Sequence, residues 1–127
     1  MSPATVSHPN FFILYVDRPL ASADFYAALL GRAPVEASAT FAMFALDSGV
    51  MLGLWSKHTV EPAAAAGGGG AEVAFAQGGK DAVDAVHADW LGKGVPILQA
   101  PLHMDFGYTF VAQDPDGHRL RVFAAGA

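Results

Sequence analysis

The chain contains no cysteine in its 127 residues. Disulfide staples, thiolate nucleophiles and zinc–thiolate sites are excluded together. Cationic charge is also scarce. Seven Lys and Arg stand against twelve Asp and Glu, a net charge of −5. No Lys/Arg cluster occurs, so binding to a nucleic-acid backbone has no electrostatic support. No apolar run reaches the roughly 18 residues of a membrane span. Residues 1–9 lack a basic segment followed by an apolar stretch, so no secretory signal is read there and a cytoplasmic chain is expected. Charged residues make up 15% and hydrophobic residues 53%, which excludes disorder. An acidic chain this small and apolar is expected to bury more than its own core, in a ligand groove, a dimer interface or both.

What the sequence does contain is a faint repeat. Residues 11–16 (FFILYV) and 72–77 (EVAFAQ) are short, mostly apolar runs. Each precedes a helix-like stretch ending in a near-copy, Leu30-Gly31-Arg32 and Leu91-Gly92-Lys93, offset by 61 residues. The first run reads as a buried strand, broken by Asp17-Arg18-Pro19. Leu20, Ala23, Ala27 and Leu30 then recur at helical spacing, and Gly31 supplies the stop. Residues 34–36 form a short strand. Residues 40–46 (TFAMFAL) alternate up to the turn Asp47-Ser48-Gly49, and 50–55 is the hairpin partner. Residues 57–71 read as a linker with an alanine tract and a glycine tract, neither offering an apolar pattern to bury. The glycines lack the Gly-Lys-Ser/Thr ending of a phosphate loop.

The order then repeats. A strand is expected over 72–76, a helix over 81–91, a short strand over 96–98, and a hairpin of 108–112 with 120–123 across Asp114-Pro115-Asp116-Gly117. Gly117 falls on Gly49 at an offset of 68, so the second copy is about seven residues longer than the first. The extra residues fall in 99–107 (QAPLHMDFG), expected to be a loop serving as rim or lid.

The duplicated β-α-β-β-β order, the stretch VDRPLASADFY at 16–26 and the turn Asp114-Pro115-Asp116-Gly117-His118 resemble the vicinal oxygen chelate superfamily. That group includes glyoxalase I, extradiol dioxygenases, fosfomycin-resistance enzymes and bleomycin-resistance proteins. The resemblance implies an α+β fold in a single domain. Two tandem βαβββ modules, about 9–57 and about 72–124, are joined by the linker at about 58–71. By the same resemblance each module is expected to be a curled mixed sheet, the two to form a cleft, and the protein to be a homodimer.

Enzymes of the superfamily hold a divalent metal on the first and last strand of each half, which places the implied ligands here at Phe11, Gly53, Glu72 and Arg121. Phe and Gly offer no side-chain ligand atom, and Arg repels a cation. Glu72 alone suits a metal, so neither metal nor cofactor is expected. Glu72 and Arg121 either meet in the cleft, as an ion pair or as ligand contacts, or are turned away by strand alternation.

Leu54-Trp55-Ser56 and Asp105-Phe106-Gly107-Tyr108-Thr109-Phe110 are further similar to the metal-free, phenazine-antibiotic-resistance branch. That similarity implies a binding protein without catalytic residues that sequesters a small planar aromatic compound; from the composition, neither a nucleic-acid nor a membrane partner is expected. Its expected contacts are Trp55 and Ser56, one of Phe41 and Phe44, Tyr15, Tyr108, Glu72 and Arg121, with His103, Asp105, Phe106 and Gly107 from the loop. Trp90 reads as structural, and Asp114 and Asp116 as turn formers. The competing reading is a metal-dependent lyase, isomerase or dioxygenase, which needs ligands outside the four usual positions, such as His103 with Glu72.

Overall fold

The structure is a computed structural model that describes residues 8–127. The stretch searched for a secretory signal lies almost wholly outside those residues. The chain divides between Ala64 and Ala65 into two compact units.

In the first unit β1 (Phe11–Val16) is followed by α1 (Pro19–Leu30), β2 (Glu36–Ala37), β3 (Phe41–Ala45) and β4 (Met51–Ser56). The sheet order is β1-β4-β3-β2, with β1 parallel to β4 and the other pairs antiparallel. Pro19, already fixed at a helical φ, starts α1. Gly31 ends it at φ 68°, its N–H bonded to the Ala27 carbonyl. Helix α1 lies against β2, β3 and β4. On that side Ala42, Phe44, Leu52 and Leu54 are buried, together with Ala23 and Tyr26 of the helix.

The second unit repeats the plan. Strand β5 (Glu72–Ala76) leads to α2 (Lys80–Gly92), β6 (Ile97–Met104), β7 (Gly107–Gln113) and β8 (Arg119–Ala125), in the sheet order β5-β8-β7-β6. Trp90 packs edge-on against Phe75 and Phe110 beneath α2, at ring-centre distances of 5.7 and 5.5 Å. It is a core residue, as its helical position suggests. Asp114 organises the β7–β8 turn, its Oδ1 accepting the N–H groups of Asp116 and His118 at 2.9 Å each. The architecture is therefore α+β with two tandem βαβββ modules, as the repeat implies.

Two expectations need correction. Residues 99–107 are not an inserted loop. Residues 97–104 form β6, an edge strand joined to β7 by the tight turn Asp105-Phe106. The register shifts between Ile97 and Gln99 and again between Gln99 and Leu102, and Pro101 sits in the second irregular stretch. An edge strand with bulges accommodates a proline that has no N–H to give. The extra length of the second copy has thus become sheet: β6 spans 8 residues where β2 spans 2.

The linker is also less featureless than its composition suggests. Val60 is buried, and its N–H bonds to the Ser56 carbonyl. Gly68 lies so close to the β7–β8 turn that a Cβ there would stand 2.6 Å from Gly117 C and His118 N. Backbone on backbone gives little room to relax. Gly68→Ala is expected to lower stability by about 1–3 kcal/mol in denaturant unfolding. Gly67→Ala, with nothing within 4 Å of its new Cβ, should stay close to wild type.

Candidate functional site

Strand alternation gives each sheet a second face, turned away from its helix. In the first sheet this open face carries Phe11, Ile13 and Tyr15 of β1, Phe41, Met43 and Ala45 of β3, and Met51, Gly53 and Trp55 of β4. None of these side chains is charged. Glu36 lies opposite Met43 on the edge strand β2. β1 is not the buried strand its sequence suggests: Phe11, Ile13 and Tyr15 remain 42%, 42% and 39% exposed, because no helix covers this face of the sheet. Phe41 meets Trp55 edge to face at 6.1 Å. A Cβ on Gly53 would stand 3.0 Å from both the Phe11 and Phe41 rings, so these rings close over the glycine.

Burial separates Phe41 from Phe44. Phe41 belongs to the open face and Phe44 to the α1 side, fully buried. Phe44 cannot touch a ligand on the open face without unpacking the core. Ser56 is likewise buried, its Oγ accepting the His58 N–H at 3.2 Å.

The second sheet fills the matching positions differently. Arg121 donates from Nε and Nη2 to the two carboxylate oxygens of Glu72, at 2.7 and 2.9 Å. It also donates from Nη1 to Thr109 Oγ1 at 3.2 Å. Phe106 stacks near the guanidinium at 5.8 Å and meets Phe123 edge-on at 6.1 Å. Of the two alternatives open from the sequence, the ion pair is the one found. The hydrogen bonds from Arg121 are the main reason that the Glu72 carboxyl is held below its ordinary range.

Tyr108 and His103 do not join this group. The Tyr108 hydroxyl donates to Asp84 of α2 at 2.7 Å, and Lys80 Nζ lies 4.8 Å from its ring centre. His103 lies directly opposite Tyr108 in the β6–β7 ladder and packs on the same ring. Both therefore occupy the α2 side, the side of Phe110, which lies two residues after Tyr108 on the same strand and is fully buried. Asp105 and Gly107 shape the tight turn that presents Phe106, with Gly107 at φ 150° and a Cβ there only 2.1 Å from the Ala124 carbonyl.

The register tests the four positions implied for a metal. In β1–β4 Ile13 opposes Gly53, and in β5–β8 Ala74 opposes Arg121. Phe11 and Glu72 each lie two residues earlier, so Phe11/Gly53 and Glu72/Arg121 are structural equivalents. One pair is a ring over a bare backbone, and the other is a carboxylate already neutralised by a guanidinium. Among the described residues no three His, Cys, Asp or Glu side chains gather as a metal site. This donor set does not fit a divalent cation.

The model of the Glyoxalase/Bleomycin resistance protein/Dioxygenase superfamily matches residues 6–122. The chain belongs to that superfamily. Within this superfamily it is similar to the phenazine antibiotic resistance protein EhpR of Enterobacter agglomerans, 28% identical over 117 residues that cover 90% of this chain and 89% of the relative. It is also similar to the solution structure of protein ATC0852 from Agrobacterium tumefaciens, with 56% identity, a TM-score of 0.88, and coverage of 96% and 100% of the two chains. A superfamily protein from Nocardioides matches at 22% identity and TM-score 0.83 over 98% and 89%, a likeness of fold.

Sequence reasoning missed Thr109 and Phe123. The offset of 68 that relates Gly53 to Arg121 also relates Phe41 to Thr109 and Trp55 to Phe123. Extending it along both hairpins would have found them.

Because the folded Glu72 carboxyl titrates below its ordinary 4.5, the pair's contribution is complete above that pH. It is lost as the pH falls through the lowered folded value. Glu72→Gln should therefore cost about 1 kcal/mol at pH 7. In paired thermal melts the gap from wild type should close as the pH drops below 4.5.

Proposed function

We propose that this protein sequesters small flat aromatic compounds, such as phenazine-type antibiotics, and performs no chemistry on them. The observation that carries this reading is the open face of the first sheet. Phe11, Phe41 and Trp55 stand there beside Ile13, Tyr15 and Met43, with no charged group on β1, β3 or β4. A soluble protein leaves such a patch wet when something else covers it. Indole and phenyl faces suit a flat ring system, since offset stacking and apolar burial act together there. The similarity to a phenazine antibiotic resistance protein adds support.

Sequestration needs affinity alone, and affinity here needs no metal. At the positions where the superfamily's enzymes would keep ligands, this chain has Phe11, Gly53 and an Arg121-bound Glu72. The metal-dependent lyase, isomerase or dioxygenase reading has no second donor at those positions. We place the protein in the cytoplasm as a homodimer. Among the described residues no helix is long and apolar enough to cross a membrane. Phe12, Leu20, Val35 and Leu98 add exposed apolar surface that a second copy would cover.

The test is titration calorimetry with phenazine, mitomycin, bleomycin and other flat aromatics, with and without chelator. At least one flat compound should bind, and chelator should leave its affinity unchanged. Trp55→Ala should weaken that binding by about 1–3 kcal/mol, through lost area and lost ring contact. Chelator-sensitive binding with a stoichiometric divalent ion would favour the enzyme.

A further inference from the structure

The second sheet's open face differs in chemistry from the first, and its difference is specific. A guanidinium carries five N–H donors. Three of those of Arg121 are engaged, two by Glu72 and one by Thr109. One N–H on each of Nη1 and Nη2 has no acceptor among the described residues. Glu72 and Thr109 hold the side chain so that only 17% of it is exposed, and the Phe106 ring lies beside it. A fixed, partly desolvated guanidinium with two free terminal N–H groups is what a planar anion grips in bidentate fashion.

One further feature of the same face favours an anionic ligand group. Arg119 lies directly opposite Glu72 in the β5–β8 ladder, so this side of the two strands carries two cations and one anion. That local excess of positive charge stands out in a chain whose net charge is −5.

We infer that Arg121 is a carboxylate-docking residue and that the open face of the second sheet takes flat aromatic acids in preference to neutral flat aromatics. The inference rests on the proposed aromatic-binding function for its ligand class and adds a charge preference that belongs to the second sheet's own face. In this arrangement Glu72 and Thr109 orient the guanidinium, its terminal N–H groups donate to the two carboxylate oxygens, and Phe106 and Phe123 supply ring contact beside them. No bond is made or broken. The guanidinium is a cation supplied by the chain itself, standing at a position where enzymes of this superfamily keep a ligand to a metal.

The experiment compares three probes by calorimetry at low salt: phenazine, phenazine-1-carboxylate and its methyl ester. Wild-type protein should bind the carboxylate at least tenfold more tightly than the ester or the parent ring. Raising the salt should narrow the ratio. In Arg121→Gln, checked by its thermal melt, the ratio should fall close to one while the parent ring still binds. Equal affinities in wild type would overturn the assignment of Arg121 and leave aromatic binding standing. A preference for the carboxylate that survives Arg121→Gln would also overturn it, since the docking point would lie elsewhere. Failure of all three probes to bind would remove the aromatic reading and this inference together. The comparison of probes on wild type needs no variant, so misfolding of Arg121→Gln would not spare the inference.

Discussion

Successive side chains of a strand point to opposite faces, and everything particular to this protein derives from that constraint. Each helix can cover one face of its sheet. The covered faces are conventional cores: Phe44 and Leu54 beneath α1, Phe110 and Val122 beneath α2. The residues between them have no helix to satisfy, so their identities are free to answer to something else. In the first sheet they are aromatic and aliphatic. In the second they include a fixed ion pair with rings beside it. The same backbone thus displays two different chemistries on the corresponding surface.

The register makes the comparison sharp. Phe11 over Gly53 and Glu72 against Arg121 occupy the same places in two copies of one motif. A divalent cation needs several oxygen or nitrogen donors converging at short range. A phenyl ring contributes none, a glycine contributes none, and a guanidinium repels the ion while engaging the only carboxylate. Restoring one donor would not suffice. The rings of Phe11 and Phe41 already take the space above Gly53, so a longer side chain there would have to displace them. The first site has been filled by rings and the second by a cation of the chain's own.

Much of the fold was legible because it rests on local signals. Gly31 ends a helix, Asp114 and Gly117 make a turn, and alternation marks β3 and β4. The repeat offsets also located the equivalent positions. The length of β6 was hidden, since Pro101 and the mixed polarity of residues 99–104 look like a loop when an edge strand with irregular register is not considered. Site membership was less legible than site position. Tyr108 sits next to Thr109 in sequence, yet one belongs to the α2 side and the other to the open face. A one-residue difference decides this, and only the pairing register fixes it. The ion pair of Glu72 and Arg121 was likewise one of two outcomes until the register was known.

The most direct measurement is a two-dimensional amide and indole NMR titration with a neutral flat aromatic, phenazine, run first without and then with chelator. Perturbations should concentrate on the Trp55 indole N–H and the amides of Phe11, Ile13 and Phe41, with the α1 side quiet. Shifts confined to the helices, or their disappearance when chelator is added, would contradict a metal-free aromatic surface on the open face of the first sheet.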